Sequence, residues 1–326
     1  MIKKALTEIS QPIKTELEEF DQLFKKSMKS NVGLVDLIAK YIIRQKGKKI
    51  RPLLVLLSAK LSGKVTQRSY RGAVLVELLH TATLIHDDVV DNADKRRSFW
   101  SINAVFKNKA AVLMGDYLLS RGLMIAVEGN DFDFLGVITN AVKRMSEGEL
   151  LQIQKTRKLD IDEETYFKVI SDKTASLLET CCMIGSMSTS ENKEYHEAMK
   201  SFGESIGMAF QIRDDILDYE GSSKITGKPV GGDIKEKKIT LPLIYSLKKV
   251  PKNEADKIRR LIKNNDGKEN TRQIIEFVRN NQGIDYALKT AHDYSQRAKN
   301  SLKIFPDSPA KIALEGLVDF VIDRKN

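Results

Sequence analysis

Two five-residue segments of this 326-residue chain share the pattern Asp-Asp-x-x-Asp: Asp87-Asp88-Val89-Val90-Asp91 and Asp214-Asp215-Ile216-Leu217-Asp218. With Asp at about 7% of residues, one such match arises by chance in roughly one chain in ten, and two in under about one in a hundred. Coincidence is a poor explanation. Each segment closes an apolar run, and residues four apart share a helical face, so Asp87 with Asp91 and Asp214 with Asp218 can converge. Clustered carboxylates repel one another and Asp is a mediocre helix former, so a cation is the natural partner. Hard oxygen donors in this number suit Mg²⁺ or Ca²⁺. Magnesium usually takes one or two carboxylates and completes its shell with waters and diphosphate oxygens. The bland alternative for either motif alone is a solvated acidic helix end, which the pairing disfavours. Neither segment has the alternating ligands, central Gly and later Glu of an EF-hand.

The elements that must position these carboxylates are helices. Apolar residues recur at helical spacing through most of the chain, for example Leu75, Leu78, Leu79, Ala82 and Ile85, then Ile206, Ala209, Phe210 and Leu217. None of the seven prolines falls between Pro52 and Pro229, which favours long helices. The spacing predicts helices near 4–30, 33–46, 50–62, 68–92, 109–128, 132–157, 163–190, 192–219, 240–248, 252–264, 270–281, 284–303 and 308–323. No alternating stretch is long enough to predict a sheet. The expected fold class is all-α, with residues 1–326 forming a single domain. The glycine-rich segment Gly221–Asp233 reads as a mobile loop, where a lysine is a functional candidate.

The formal net charge of +10 fits nucleic acid, an anionic membrane surface or an anionic small substrate. The basic residues form no dense stripe interleaved with aromatics, so nucleic-acid binding is not expected. The opening MIKKALTEISQPIKTELEEF does not read as a secretory signal. No run approaches the roughly 18 to 20 apolar residues of a membrane span, so a cytoplasmic location is expected. The only cysteines, Cys181 and Cys182, adjoin one another in an apolar helical stretch, where packing as small hydrophobes is expected over a disulfide or metal site.

Around the first motif the chain reads Glu77-Leu-Leu-His-Thr-Ala-Thr-Leu-Ile-His-Asp-Asp-Val-Val-Asp91, followed by Arg96-Arg97, and the second motif comes after Phe210-Gln211. Gly47-Lys48-Lys49-Ile50-Arg51-Pro52, Gly115-Asp116, Gln152, Lys173-Thr174-Ala175, Gly227-Lys228 and Lys238-Ile-Thr-Leu-Pro242 also occur. In this order, over about residues 45–242, the set closely resembles the trans-isoprenyl (polyprenyl) diphosphate synthase family. The resemblance implies one large all-α helical bundle around a central active-site cavity, usually a homodimer, with the aspartate motifs facing each other across its mouth. It implies a magnesium-dependent prenyltransferase that joins isopentenyl diphosphate to an allylic diphosphate by ionisation, condensation and elimination.

The same resemblance implies the site residues. Asp87, Asp91 and Asp214 would bind a cluster of about three Mg²⁺ ions, with Asp88, Asp215 and Asp218 in support. Arg96, Lys173, Lys228 and Lys238 would bind the allylic diphosphate, and Lys48, Arg51, His80 and Arg97 the isopentenyl diphosphate. Thr174, Gln211 and the carbonyl of Lys173 would steady the allylic cation. Product release would involve transient contact with a membrane surface.

Short-chain members of the family often block the product pocket with an aromatic four or five residues before the first Asp. Here those positions hold Thr83 and Ala82. Small side chains there predict an open tunnel and a long product of about six to eight isoprene units, as in a quinone tail. Alternatively, Ala82 is small only for helix packing and a deeper residue near Leu119 or Leu123 stops growth at farnesyl or geranylgeranyl diphosphate. A terpene cyclase would usually replace the second aspartate motif, and a non-catalytic subunit would lack one. A non-enzymatic cation-binding helical protein would bind magnesium without depending on diphosphate.

Overall fold

The helical spacing of the apolar residues is realised throughout the computed structural model, which describes residues 2–45, 47–96, 99–220, 231–264 and 267–323. In chain order come α1 (Ile2–Ser10), α2 (Lys14–Ser27), α3 (Gly33–Arg44), α4 (Ile50–Ser62), α5 (Gln67–Val90), α6 (Ile102–Glu128), α7 (Phe132–Lys158) and α8 (Glu163–Ile170). Then come α9 (Ser176–Met187), α10 (Lys193–Glu220), α11 (Gly232–Lys235), α12 (Leu241–Lys249), α13 (Lys252–Lys263), α14 (Lys268–Asn280), α15 (Gly283–Ser301) and α16 (Pro309–Ile322).

Helix α5 buries Leu75, Val76, Leu78, Leu79, Ala82 and Ile85, which spread around its circumference. A helix apolar on all sides must be surrounded, and α5 packs on α4, α6 and α9. Its start is fixed by a reciprocal cap: the Thr66 side chain takes the Ser69 N–H, and the Thr66 N–H donates to Ser69 Oγ at 3.1 Å. Helix α9 lies between α4 and α10, and α10 lies against α15.

The buried side chains gather in two clusters, one built around Leu57, Leu79, Phe134 and Phe202, the other around Ile216, Tyr219, Leu243 and Val278. Each fully buried side chain of this kind contributes about 1.5–3 kcal/mol. Helix α10 runs through both clusters, so the second aspartate motif stands on a helix anchored over most of its length. Cys181 and Cys182 are fully buried on α9 without a disulfide, as small apolar residues would be.

Several boundaries differ from expectation for identifiable reasons. The first predicted helix is divided by a 3₁₀ turn at Gln11–Ile13, where Pro12 has no N–H to continue the ladder. Helix α6 begins at Ile102 but is broken at Lys107, whose φ of 73° is sterically costly for a lysine. The expected helix 163–190 contains a π turn, Ser171–Ala175, and ends at Met187. A two-residue antiparallel ladder, β1 (Lys95–Arg96) with β2 (Phe99–Trp100), adds a small sheet too short for alternation to predict. The expected mobile loop falls largely on 221–230, outside the described residues; its end forms α11.

Helix α6 is the most apolar long helix among the described residues. It contains an 18-residue window of mean hydropathy 1.5, long and apolar enough by composition to cross a membrane. Asp116 and Arg121 interrupt the run, so no unbroken apolar sequence marks it. Only 33% of that window is buried, and Val112, Leu113, Met124 and Val127 are exposed.

Candidate active site

Both aspartate motifs stand at the C-terminal ends of their helices. Asp87 and Asp88 occupy the last turn of α5, Asp91 is its C-cap, and Asp218 lies in the last turn of α10. A helix C-terminus carries about half a negative charge, so it disfavours carboxylates and favours a cation beside them. Burial varies within each motif. Asp87, Asp91 and Asp214 are exposed, Asp88 and Asp215 are only 4% and 5% exposed, and Asp218 is half-buried.

Asp215 is gripped from two sides. Tyr166 donates its hydroxyl to Oδ2 at 2.7 Å, and Gln211 Nε2 donates to Oδ1 at 2.8 Å. Burial first, then the charge of Asp233, pushes the Asp215 pKa up to about 8 despite those hydrogen bonds. Asp233 is itself raised to about 6, by burial and then by Asp218. The two carboxylate oxygens of Asp218 accept the backbone N–H groups of Gly232 and Asp233 at 2.9 and 3.0 Å. Asp218 therefore ties the end of α10 to the start of α11.

A cavity of about 110 Å³ lies between α7, α8, the π turn, α10 and residues 233–240. Its walls include Gln152, Lys173, Thr174, Gln211, Asp215 and Lys238, so five predicted site residues and the motif residue Gln152 come together. Lys173 pairs with Glu149 and donates to Gln152 Oε1 at 3.3 Å. Thr174 Oγ1 donates to Gln211 Oε1 at 2.9 Å. Lys238 pairs with Glu236. Burial would lower the Lys238 pKa, but the hydrogen bond and charge of Glu236, with the charges of Asp233 and Glu149, raise it.

The remaining predicted residues that are described do not line this cavity. Lys48 is exposed just before α4, and Arg51 is half-buried in its first turn with Nε shielded from solvent. His80 is 9% exposed within α5, and Ala82 is 2% exposed. Thr83 is half-buried and donates its hydroxyl to the His80 carbonyl at 2.9 Å. Arg97, Lys228 and the side chain of Arg96 lie outside the described residues.

Sequence reasoning missed Tyr166 and Asp233, which both line the cavity. Tyr166 occupies an ordinary periodic position of α8, and nothing local marks its hydroxyl as the partner of a residue 49 positions away. Asp233 closes the Gly-Gly-Asp end of the predicted loop, and its place directly after two glycines was the available signal.

Behind the π turn, Arg144 of α7 donates from Nε to Asp172 Oδ1 at 2.8 Å, from Nη1 to Glu179 Oε2 at 2.7 Å and from Nη2 to Ser171 Oγ at 3.0 Å. Lys168 adds a second ion pair to Asp172 at 3.0 Å. Burial is the largest single influence on the Asp172 pKa and would raise it. The hydrogen bonds and charges of Arg144 and Lys168 together outweigh burial and hold it below the ordinary value. A carboxylate depressed in the fold contributes stability above its unfolded pKa of about 3.9, and loses it as pH falls through the folded value. Asp172→Asn should therefore melt below wild type at pH 7, with the gap narrowing below about pH 4. Parallel melting curves from pH 7 to pH 3 would rule out that ionic contribution.

Exposed carboxylates in each motif, Asp87 and Asp91 at the end of α5 and Asp214 within α10, are backed by carboxylates whose burial opposes their charge, and hard oxygen donors of this kind suit Mg²⁺ or Ca²⁺. Among the described residues no three His, Cys, Asp or Glu side chains gather into a complete cage. An ion that shares its shell with diphosphate oxygens and water needs only one or two carboxylates, so the residues present fit such an ion.

The polyprenyl synthetase family profile matches residues 33–278. The chain is 35% identical over 318 residues to an all-trans-nonaprenyl-diphosphate synthase (geranyl-diphosphate specific) from Rhodobacter capsulatus, with 97% of each chain covered. Its structure resembles that of polyprenyl synthase from Caulobacter crescentus CB15 complexed with calcium and isoprenyl diphosphate, with a TM-score of 0.89, 31% identity and 98% of each chain covered. It also resembles geranylgeranyl pyrophosphate synthase from Bacteroides thetaiotaomicron, with a TM-score of 0.83 and 36% identity over 98% of this chain and 100% of that one. With its helical fold and its aspartate motifs at two helix ends, the chain belongs to the polyprenyl synthetase family.

Proposed function

We propose that this protein is a magnesium-dependent all-trans polyprenyl diphosphate synthase that extends an allylic diphosphate with isopentenyl diphosphate to about six to eight isoprene units, a length suited to a quinone tail. The observation that carries this reading is the cavity in which Lys173, Thr174, Gln211 and Lys238 meet Asp215, one residue beyond the exposed Asp214. Asp87, Asp91 and Asp214 would hold the metal, about three ions in all, while Asp88, Asp215 and Asp218 steady them from within. Bound magnesium supplies positive charge that stabilises the diphosphate as it leaves.

Arg96, Lys173, Lys228 and Lys238 bring the chain's own positive charge to that diphosphate. The allylic carbon–oxygen bond breaks, and its electron pair leaves with the pyrophosphate. The Thr174 hydroxyl, the Gln211 amide and the Lys173 carbonyl steady the resulting cation. Lys48, Arg51, His80 and Arg97 hold isopentenyl diphosphate, whose double bond forms the new carbon–carbon bond. The proton lost in regenerating a double bond passes to the pyrophosphate.

Residues 1–326 act as one domain in the cytoplasm. A second copy covers the exposed apolar face of α6, making a homodimer, and the product leaves by transient contact with a membrane surface. The test is incubation with Mg²⁺, labelled isopentenyl diphosphate and farnesyl diphosphate, followed by sizing of the dephosphorylated products. Long products that require the metal are expected. Absence of elongation would leave a cation-binding helical protein.

Geranylgeranyl or farnesyl diphosphate is the second reading for the product, favoured by the burial of Ala82 and by the geranylgeranyl relative. Ala82→Phe separates the two. If position 82 borders the tunnel, the ring fills it, stability holds, and products shorten to about three or four units while the first condensation survives. If Ala82 only packs helices, the variant loses about 1–3 kcal/mol with product length unchanged.

A further inference from the structure

The π turn Ser171–Ala175 is closed by the Ser176 N–H bonding to the Ser171 carbonyl, five residues back. One extra residue in a helical turn rotates the helix on its C-terminal side by about 100° relative to the helix on its N-terminal side. This turn carries Lys173 and Thr174, and two glycines let it press between neighbouring helices. A Cβ on Gly148 of α7 would lie 3.0 Å from both Asp172 Cβ and Lys173 N, and one on Gly207 of α10 would lie 2.6 Å from Ala175 Cα.

Arg144 stands one helical turn before Gly148 on the same face of α7. Its three donors reach Ser171 and Asp172 inside the turn and Glu179 in α9 beyond it. Ser171 Oγ in turn donates to Glu204 Oε1 of α10 at 3.2 Å. One rigid guanidinium fork therefore spans the widened turn and the helix after it, a task that a lysine's single ammonium cannot reproduce.

Taking Lys173 and Thr174 to meet the allylic group, as the proposed function requires, we infer that Arg144 is a positioning residue for prenyl transfer. Its guanidinium holds the π register and so sets Lys173 beside Gln152 and Thr174 against Gln211. Relaxation to an α-helical turn would rotate both side chains away from the cavity.

Removing Arg144 alone strips Glu179 of its guanidinium partner and leaves Asp172 only its pair with Lys168, and with both carboxylates largely buried it can unfold the chain. The informative variant is the triple Arg144→Met, Asp172→Asn, Glu179→Gln, which replaces all three charged groups with uncharged ones of similar size. It should melt cooperatively, lose about 100-fold in kcat, as a misplacement of about 1 Å can cost, and keep its KM for isopentenyl diphosphate. Arg144→Lys should fall between the triple variant and wild type. Gly148→Ala, which presses a methyl group onto the same turn with Arg144 intact, should show the same loss of kcat. Wild-type kcat in the folded triple or in Gly148→Ala overturns the inference, as does an equal rise of both KM values at unchanged kcat. Lys173→Ala is the control. Normal turnover there overturns the allylic-site reading itself, whereas slow turnover there with a fast triple variant overturns only the role of Arg144.

Discussion

Asp214→Ala, and separately Asp87→Ala, is expected to lower kcat by at least about a thousandfold in a protein that still folds. Each factor of ten corresponds to about 1.4 kcal/mol of transition-state stabilisation, and an ion that loses a ligand where diphosphate charge develops forfeits several such factors. Both side chains are exposed, so truncation opens no cavity in the core. Asp87 also faces the negative end of the α5 dipole, so its removal should leave the metal-free melting temperature unchanged or slightly raised. Steady-state kinetics over a magnesium titration, with melting curves in a chelator, measure both quantities. Near-normal turnover in a folded Asp214→Ala protein would end the assignment.

The second large effect concerns substrate selectivity. Arg51→Ala or Lys48→Ala should raise the KM for isopentenyl diphosphate about 10- to 150-fold, corresponding to roughly 1.5–3 kcal/mol for one charge-assisted hydrogen bond. The KM for the allylic substrate should change far less. Lys238→Ala and Lys228→Ala should show the reverse pattern. The separation has a structural basis: Lys238 lines the cavity with Lys173, whereas Arg51 stands in the first turn of α4, outside that lining. Equal shifts for both substrates in every variant would show that the two diphosphate positions had been confused.

The long helices were legible because long apolar stretches free of proline report burial, and α5 and α10 extend over 24 and 28 such residues. The carboxylates were legible because the same short pattern occurs twice. The π turn left no such mark. Its register depends on Arg144, Gly148 and Gly207, which lie tens of residues away and meet it only in the folded chain. The start of α6 was obscured because the polar residues Asn103, Lys107, Asn108 and Lys109 interrupt its apolar spacing on either side of the kink at Lys107. Asp214 and Asp215 are neighbours in the sequence, yet one faces solvent and the other is buried against Tyr166. That difference arises from the packing of α8 on α10, a tertiary contact that no local pattern encodes.

Helix α9, the continuation of the turn bearing Lys173, keeps the chain's only two thiols away from solvent. Burial pushes the pKa of Cys181 well above its ordinary value and that of Cys182 up to about 12. Alkylating reagents attack the thiolate, so they find almost nothing to react with while α9 is in place. Their rate of incorporation therefore counts the openings of this one helix, without any introduced label. Two mass increments that arrive together report a concerted opening, and increments that arrive singly report fraying, so the unmodified protein carries its own unfolding clock beside its proposed catalytic turn.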